Sequence, residues 1–105
     1  MSEKQWNVSV GLVRSSKKNE ELLSSAEERE LIRTLAHLDP RPADCRFKNS
    51  GSLTSVPPVT VYFSAGATNH FEAQTVADGL MKKLEEILPP LDLAISWFHV
   101  TEVGS

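Results

Sequence analysis

A chain of 105 residues with a net charge of −3 is enough for one domain, expected over residues 1–105, and excludes a protein that grips nucleic acid through bulk positive charge. Hydrophobic residues at 40% and charged residues at 24% lie in the globular range and exclude wholesale disorder. No run approaches the roughly 20 consecutive apolar residues of a membrane-spanning helix, so no membrane partner is expected.

The N-terminal Met1-Ser2-Glu3-Lys4-Gln5 lacks a basic region followed by an apolar one, and no secretory signal is read there. From Trp6 to Val13 the side chains alternate. Trp6, Val8, Val10 and Leu12 point one way and Asn7, Ser9 and Gly11 the other, which is a strand with one buried face. The polar run from Ser15 to Glu21 reads as a solvated loop. Ser25-Ala26-Glu27-Glu28 fits a capping box, and Leu31, Ile32, Leu35, Ala36 and Leu38 follow at helical spacing. Asp39-Pro40-Arg41-Pro42 ends that helix, because proline has no amide donor and disfavours helical geometry in the residue before it.

Asp44 to Lys48 alternates again, with Cys45 and Phe47 against Asp44, Arg46 and Lys48. Asn49-Ser50-Gly51-Ser52 is turn chemistry within a loop reaching Ser55. Val59, Val61 and Phe63 alternate with Thr60, Tyr62 and Ser64 in a third strand, which begins where Pro57 and Pro58 end. Asn69 and Glu72 repeat the capping geometry. Ala73, Val76, Ala77, Leu80, Leu84, Ile87 and Leu88 then form a long helical stripe that Pro89-Pro90 stops. Leu93 to Val103 closes as a fourth strand, with Leu93, Ile95, Trp97 and His99 expected on one face and Ala94, Ser96, Phe98 and Val100 on the other.

The order β-α-β-β-α-β predicts an α+β fold, the ferredoxin-like two-layer sandwich, with sheet order 4-1-3-2 and both helices on one face. Right-handed crossovers are expected to set the first and third strands side by side in parallel. The uncovered face is expected to carry Asn7, Ser9, Arg46, Lys48, Thr60 and Tyr62 together with Ser96, Phe98 and Val100. Its centre is small and polar, one margin cationic and the other apolar, and an exposed apolar margin invites a partner. The fourth strand is apolar on both faces near Trp97-Phe98, where a half-exposed strand is normally polar on one. The expected function is a small non-catalytic interaction module that forms a homodimer or binds a partner protein, as small inhibitors, immunity proteins and assembly factors do. Asn7, Ser9, Arg46, Lys48, Tyr62, Trp97, Phe98 and Val100 are the expected contacts.

The residues offer little chemistry. Cys45 is the single cysteine, so no internal disulfide or cysteine zinc site can form, and a reducing, cytoplasmic setting is expected. It reads as a small buried hydrophobe, with nucleophilic character only if folding brings His37, His70 or His99 close. The three histidines lack ligand spacing, and neither a metal nor a cofactor is expected. Ser64-Ala65-Gly66-Ala67-Thr68-Asn69-His70 joins strand to helix. It could present amides to an anion, but a single glycine is not a phosphate loop, and capping by Thr68 or Asn69 explains the same residues.

Three families share elements of this architecture. The order of elements resembles that of RNA-recognition-motif domains, which stack bases on aromatics of the central strands. Val59-Thr60-Val61-Tyr62-Phe63-Ser64 lacks their glycine–aromatic signature and leaves Tyr62 alone to stack, so nucleic acid is not an expected partner. Acylphosphatases use a similar scaffold, yet Val13-Arg14-Ser15-Ser16-Lys17-Lys18 has the basic residues without the glycine-rich loop. In architecture the chain also resembles the dimeric α/β-barrel monooxygenases, which pair two bare sheet faces around a pocket. That resemblance implies a small enzyme or ligand-binding protein, with Asn7, Tyr62, Trp97 and His99 lining the pocket.

Overall fold

A computed structural model describes residues 3–15, 23–38, 41–48 and 57–103 of the chain. The expected loops at 16–21 and 49–55, and the Asp39-Pro40 stop, lie outside the described residues. The elements are β1 (Lys4–Arg14), α1 (Ser25–Leu35), β2 (Asp44–Phe47), β3 (Val59–Ala67), α2 (His70–Ile87) and β4 (Leu93–Glu102). The sheet order is β2-β3-β1-β4, which is 4-1-3-2 read from the opposite edge.

Every neighbouring pair in the sheet is antiparallel, including β1 with β3, so the expected parallel pairing of these two is corrected. The reason lies in the crossover. The chain passing through α1 makes β1 parallel to β2, and β3, reversed by the connection from β2, fills the gap between them.

Alternation along β1 and β3 sends Trp6, Val8, Val10, Leu12, Val59, Val61 and Phe63 to one face, where all are buried in a single core. Leu31 and Leu35 of α1 and Ala73, Ala77, Leu80 and Leu84 of α2 bury their stripes in the same core, so the helices cover this face. Each fully buried aliphatic or aromatic side chain contributes about 1.5–3 kcal/mol relative to exposure. Trp6 also satisfies its indole, Nε1 donating to the Ala67 carbonyl at 3.0 Å.

The helix starts follow from their caps. At α1 the capping box is Ser24 with Glu27, one residue before the expected Ser25 and Glu28: the Glu27 amide donates to Ser24 Oγ, and Glu27 Oε1 accepts from the Ser24 amide at 3.0 Å. A tertiary contact selects this frame, since Arg14 at the end of β1 donates to both Glu27 carboxylate oxygens at 2.7 Å. At α2 the expected cap is present, Asn69 Oδ1 accepting from the Glu72 amide at 2.8 Å. Pro89 and Pro90 stop α2 by drawing the chain into a 3-10 turn over Pro89–Leu91. Asp92 then takes a left-handed conformation (φ 59°), which a short polar side chain tolerates, and reverses the chain into β4.

β4 departs from simple alternation. Its register against β1 runs Val8↔Val100, Val10↔Phe98 and Gly11↔Trp97, then Leu12↔Ile95, which leaves Ser96 without a partner in a β-bulge. The extra residue inverts the phase of the strand. Leu93 and Ile95 face the core before it, and Phe98 and Val100 after it.

Candidate interaction interface

The face without helices is built from cross-strand rows. Arg46, Thr60, Gly11 and Trp97 stand opposite one another in one row, from the β2 edge to the β4 edge. Asp44, Tyr62, Ser9 and His99 form the next, and Ser64, Asn7 and Thr101 the third. The sequence-predicted residues Asn7, Ser9, Arg46, Tyr62, Trp97 and His99 are therefore brought together on one surface. Lys48 follows β2 by one residue, half-buried, its amide donating to the Pro58 carbonyl at 2.9 Å.

Phe98 and Val100 are not on this face. Val100 is buried in the core and Phe98 packs against it, because the bulge at Ser96 turns both inward. By the same inversion Trp97 and His99, expected inside, stand on the open face, and both are exposed.

Trp97 lies on Gly11. A Cβ at residue 11 would stand 2.5 Å from the indole Cε2 and Nε1, so only glycine lets the ring settle on the β1 backbone. The ring nevertheless remains 41% exposed. The opposite margin is a compact polar group. Arg46 Nε donates to Asp44 Oδ2 at 3.0 Å, and its guanidinium lies 5.6 Å from the Tyr62 ring centroid. The hydrogen bond from Arg46, and then that from the Cys45 amide, hold the Asp44 carboxyl below its ordinary range; Asp44 in turn raises the Arg46 pKa.

From Gln5 to Val13, Thr60 to Gly66 and Trp97 to Thr101, the outward positions of the three long strands include no Asp, Glu, Lys or Arg. In a chain that is 24% charged, this leaves a surface of amides, hydroxyls, Tyr62, His99 and one large indole, with the Glu3 carboxylate folded over Gly66 at one end. Loss of charge with retention of aromatics is the compositional mark of an interface centre.

Catalytic features do not assemble around the candidate groups. Cys45 is half-buried beside α1, and burial, with the nearby Asp44 and Glu28 charges, pushes its thiol up to about 11, away from the nucleophilic thiolate. His37 is exposed beyond α1, His70 sets its ring edge-on to Trp6 at 5.7 Å, and His99 lies on the open face. Among the described residues no group of three His, Cys, Asp or Glu side chains could hold a metal ion. Residues 64–67 continue β3, and Asn69 occupies the Glu72 amide, so the strand-to-helix junction is a capped turn. An apolar cavity of about 190 Å³ opens between the end of α1 and β2, lined by Ile32, Leu35, Ala36, Pro42 and Cys45 with Arg41 and Asp44 at its rim.

Two structural determinants escaped the sequence reading. The Gly11–Trp97 contact depends on a bulge that strict alternation does not reveal, although a glycine inside a strand is a signal of close approach. The Arg14–Glu27 pair joins residues 13 apart, and Arg14 reads in sequence only as the first of several basic residues. No protein-family model, curated protein or solved structure matches this chain.

Proposed function

We propose that this ferredoxin-like domain is an interaction module that binds protein through its open sheet face and the fourth strand. The observation that carries this reading is Trp97, a large indole seated on Gly11 and left 41% exposed on a face whose three long strands place no charged side chain around it, the Glu3 carboxylate lying apart over Gly66. Buried Trp and Arg anchors dominate the energetics of protein interfaces, and Trp97 and Arg46 occupy opposite flanks of this face. Its width suits the reading as well. Four strands spaced ~4.8 Å apart, over about seven residues at ~3.3 Å each, present roughly 19 Å by 23 Å to a partner. Two such faces remove at most about 900 Å² from water, the size range of weak and transient contacts.

Sedimentation of the chain as it leaves the cell, with any protein that co-purifies, tests the reading. A species heavier than 11.6 kDa is expected, and Trp97→Asp is expected to return it to the monomer with unchanged helical circular dichroism. Wild-type protein that sediments as a monomer with no co-purifying protein overturns the reading.

A further inference from the structure

We propose that the occupant of the open face is a second copy of this chain, stacked face to face about a twofold axis that runs parallel to the strands. The inference rests on the interaction reading above and names its partner. The argument is the distribution of chemistry along the rows. Row by row, what stands on the β2 flank complements what stands on the β4 flank. Arg46 is at one end of the row that Trp97 ends, and Asp44 is at one end of the row that His99 ends.

A twofold axis along the strands, passing between β3 and β1, lays the β2 flank of one copy over the β4 flank of the other and keeps each row on its own equivalent. Arg46 then meets Trp97 of the second copy, and Asp44 meets His99 of the second copy, each contact made twice. A guanidinium over an indole face is the strongest cation–π pairing among side chains. An imidazole N–H donates naturally to a carboxylate. The uncharged middle, Ser9 and Gly11 against Tyr62 and Thr60, buries no unpaired ion.

The alternative twofold, with its axis across the strands, sets β2 on β2 and β4 on β4. It places no cation on Trp97 and is disfavoured by the same reasoning. Arg46 is prepared for its role, since the pair with Asp44 and the Tyr62 ring beneath it already restrict the side chain while leaving it 73% exposed. Face-to-face packing of sheets with nearly aligned strands is a common solution for two layers, which keeps the rows in register near the axis.

The test is complementation between two broken surfaces, using the purified full chain alone. Wild-type protein is expected to sediment as a dimer of twice 11.6 kDa. Trp97→Lys sets a lysine against Arg46 of the second copy, and Arg46→Glu sets a carboxylate against the indole. Each variant alone is expected to dimerise at least about tenfold more weakly, Trp97→Lys because like charges then face one another and Arg46→Glu because an anion replaces the cation over the indole face. An equimolar mixture of the two is expected to regain a dimer, because one heterologous pair becomes Lys with Glu and the other is the native Arg46 with Trp97. Circular dichroism of each variant checks that the fold is intact.

A purified wild-type chain that is monomeric overturns the self-pairing, and the interaction reading then stands only if a co-purifying protein is released by Trp97→Asp. A dimer that neither substitution weakens uses another surface, which overturns both. Weakened variants that fail to restore one another when mixed overturn the proposed axis and with it the inference.

Discussion

Gly11 and Glu27 each serve two structural relations at once. Gly11 continues the β1 ladder and also admits the Trp97 ring, which a Cβ would meet at 2.5 Å. Gly11→Ala is therefore expected to lift the indole from the sheet at a cost of about 1 kcal/mol, because an exposed ring can move aside where a core side chain cannot. A red shift of tryptophan emission and loss of association, with only a small change in the denaturation midpoint, is the expected signature. Glu27 closes the α1 capping box and ties the helix to β1. The paired hydrogen bonds from Arg14 lead, followed by the Ser24 amide, in pulling its pKa from 4.5 to about 2. A carboxyl whose folded pKa is depressed contributes stability above its unfolded pKa and loses it as protons bind. The contribution is full above about pH 4.5 and disappears as pH falls toward about 2. Glu27→Gln is expected to flatten this part of the acid limb in pH-dependent urea denaturation. Near neutrality it costs about 1 kcal/mol through the weakened cap, and the Arg14 guanidinium, only 10% exposed, adds to that by losing its carboxylate partner.

At the scale of elements, β4 decides which residues stand on the open face. One unpaired residue, Ser96, inverts the phase, and a strand with a two-residue period cannot absorb such a change without exchanging its faces. Two neighbouring substitutions separate the faces. Phe98→Asp places a charge where the native ring packs on the core and is expected to destabilise by roughly 2 kcal/mol or more. Trp97→Asp removes a ring that is only partly covered and is expected to cost about 1 kcal/mol, as lifting the ring does, and clearly less than Phe98→Asp. Chemical denaturation of both variants, with the chain held monomeric by dilution, checks the pair; equal losses contradict the assigned phase. The other elements were more legible. The second helix and the first three strands repeat their apolar period without interruption, so periodicity showed which side faced inward; of the α1 stripe only Leu31 and Leu35 are buried, Ile32 and Ala36 remaining exposed. The cap of α1 was misplaced by one residue because Ser24 and Ser25 are both able caps, followed three residues later by Glu27 and Glu28. Only Arg14, brought alongside by the sheet, distinguishes them.

Across the whole molecule, one layer of helices leaves one sheet face uncovered. The core is a single cluster centred on β1 and β3, so its large residues are shared by every element. Phe63→Ala, a truncation at a fully buried site on a central strand, is expected to cost about 3–5 kcal/mol. Against a total of about 5–15 kcal/mol for a domain, that leaves a marginal fold, visible as a large drop in melting temperature by calorimetry. If the open face binds a second copy, wild-type melting should also rise with protein concentration, since association stabilises only the folded chain.

The sequence by itself determined the six elements, their order and the inward residues wherever the apolar period was unbroken, because local propensity and burial depend on side chains close together in the chain. It also determined which strands are neighbours, since short connections and crossover geometry leave few arrangements. Tertiary structure decided the antiparallel direction of β1 against β3, the frame of the α1 cap and the exchange of Trp97 for Phe98 on the open face. Each of these turns on a contact between residues far apart in the chain: β3 entering between β1 and β2, Arg14 reaching Glu27, and the β4 ladder slipping by one residue where Gly11 accepts the indole.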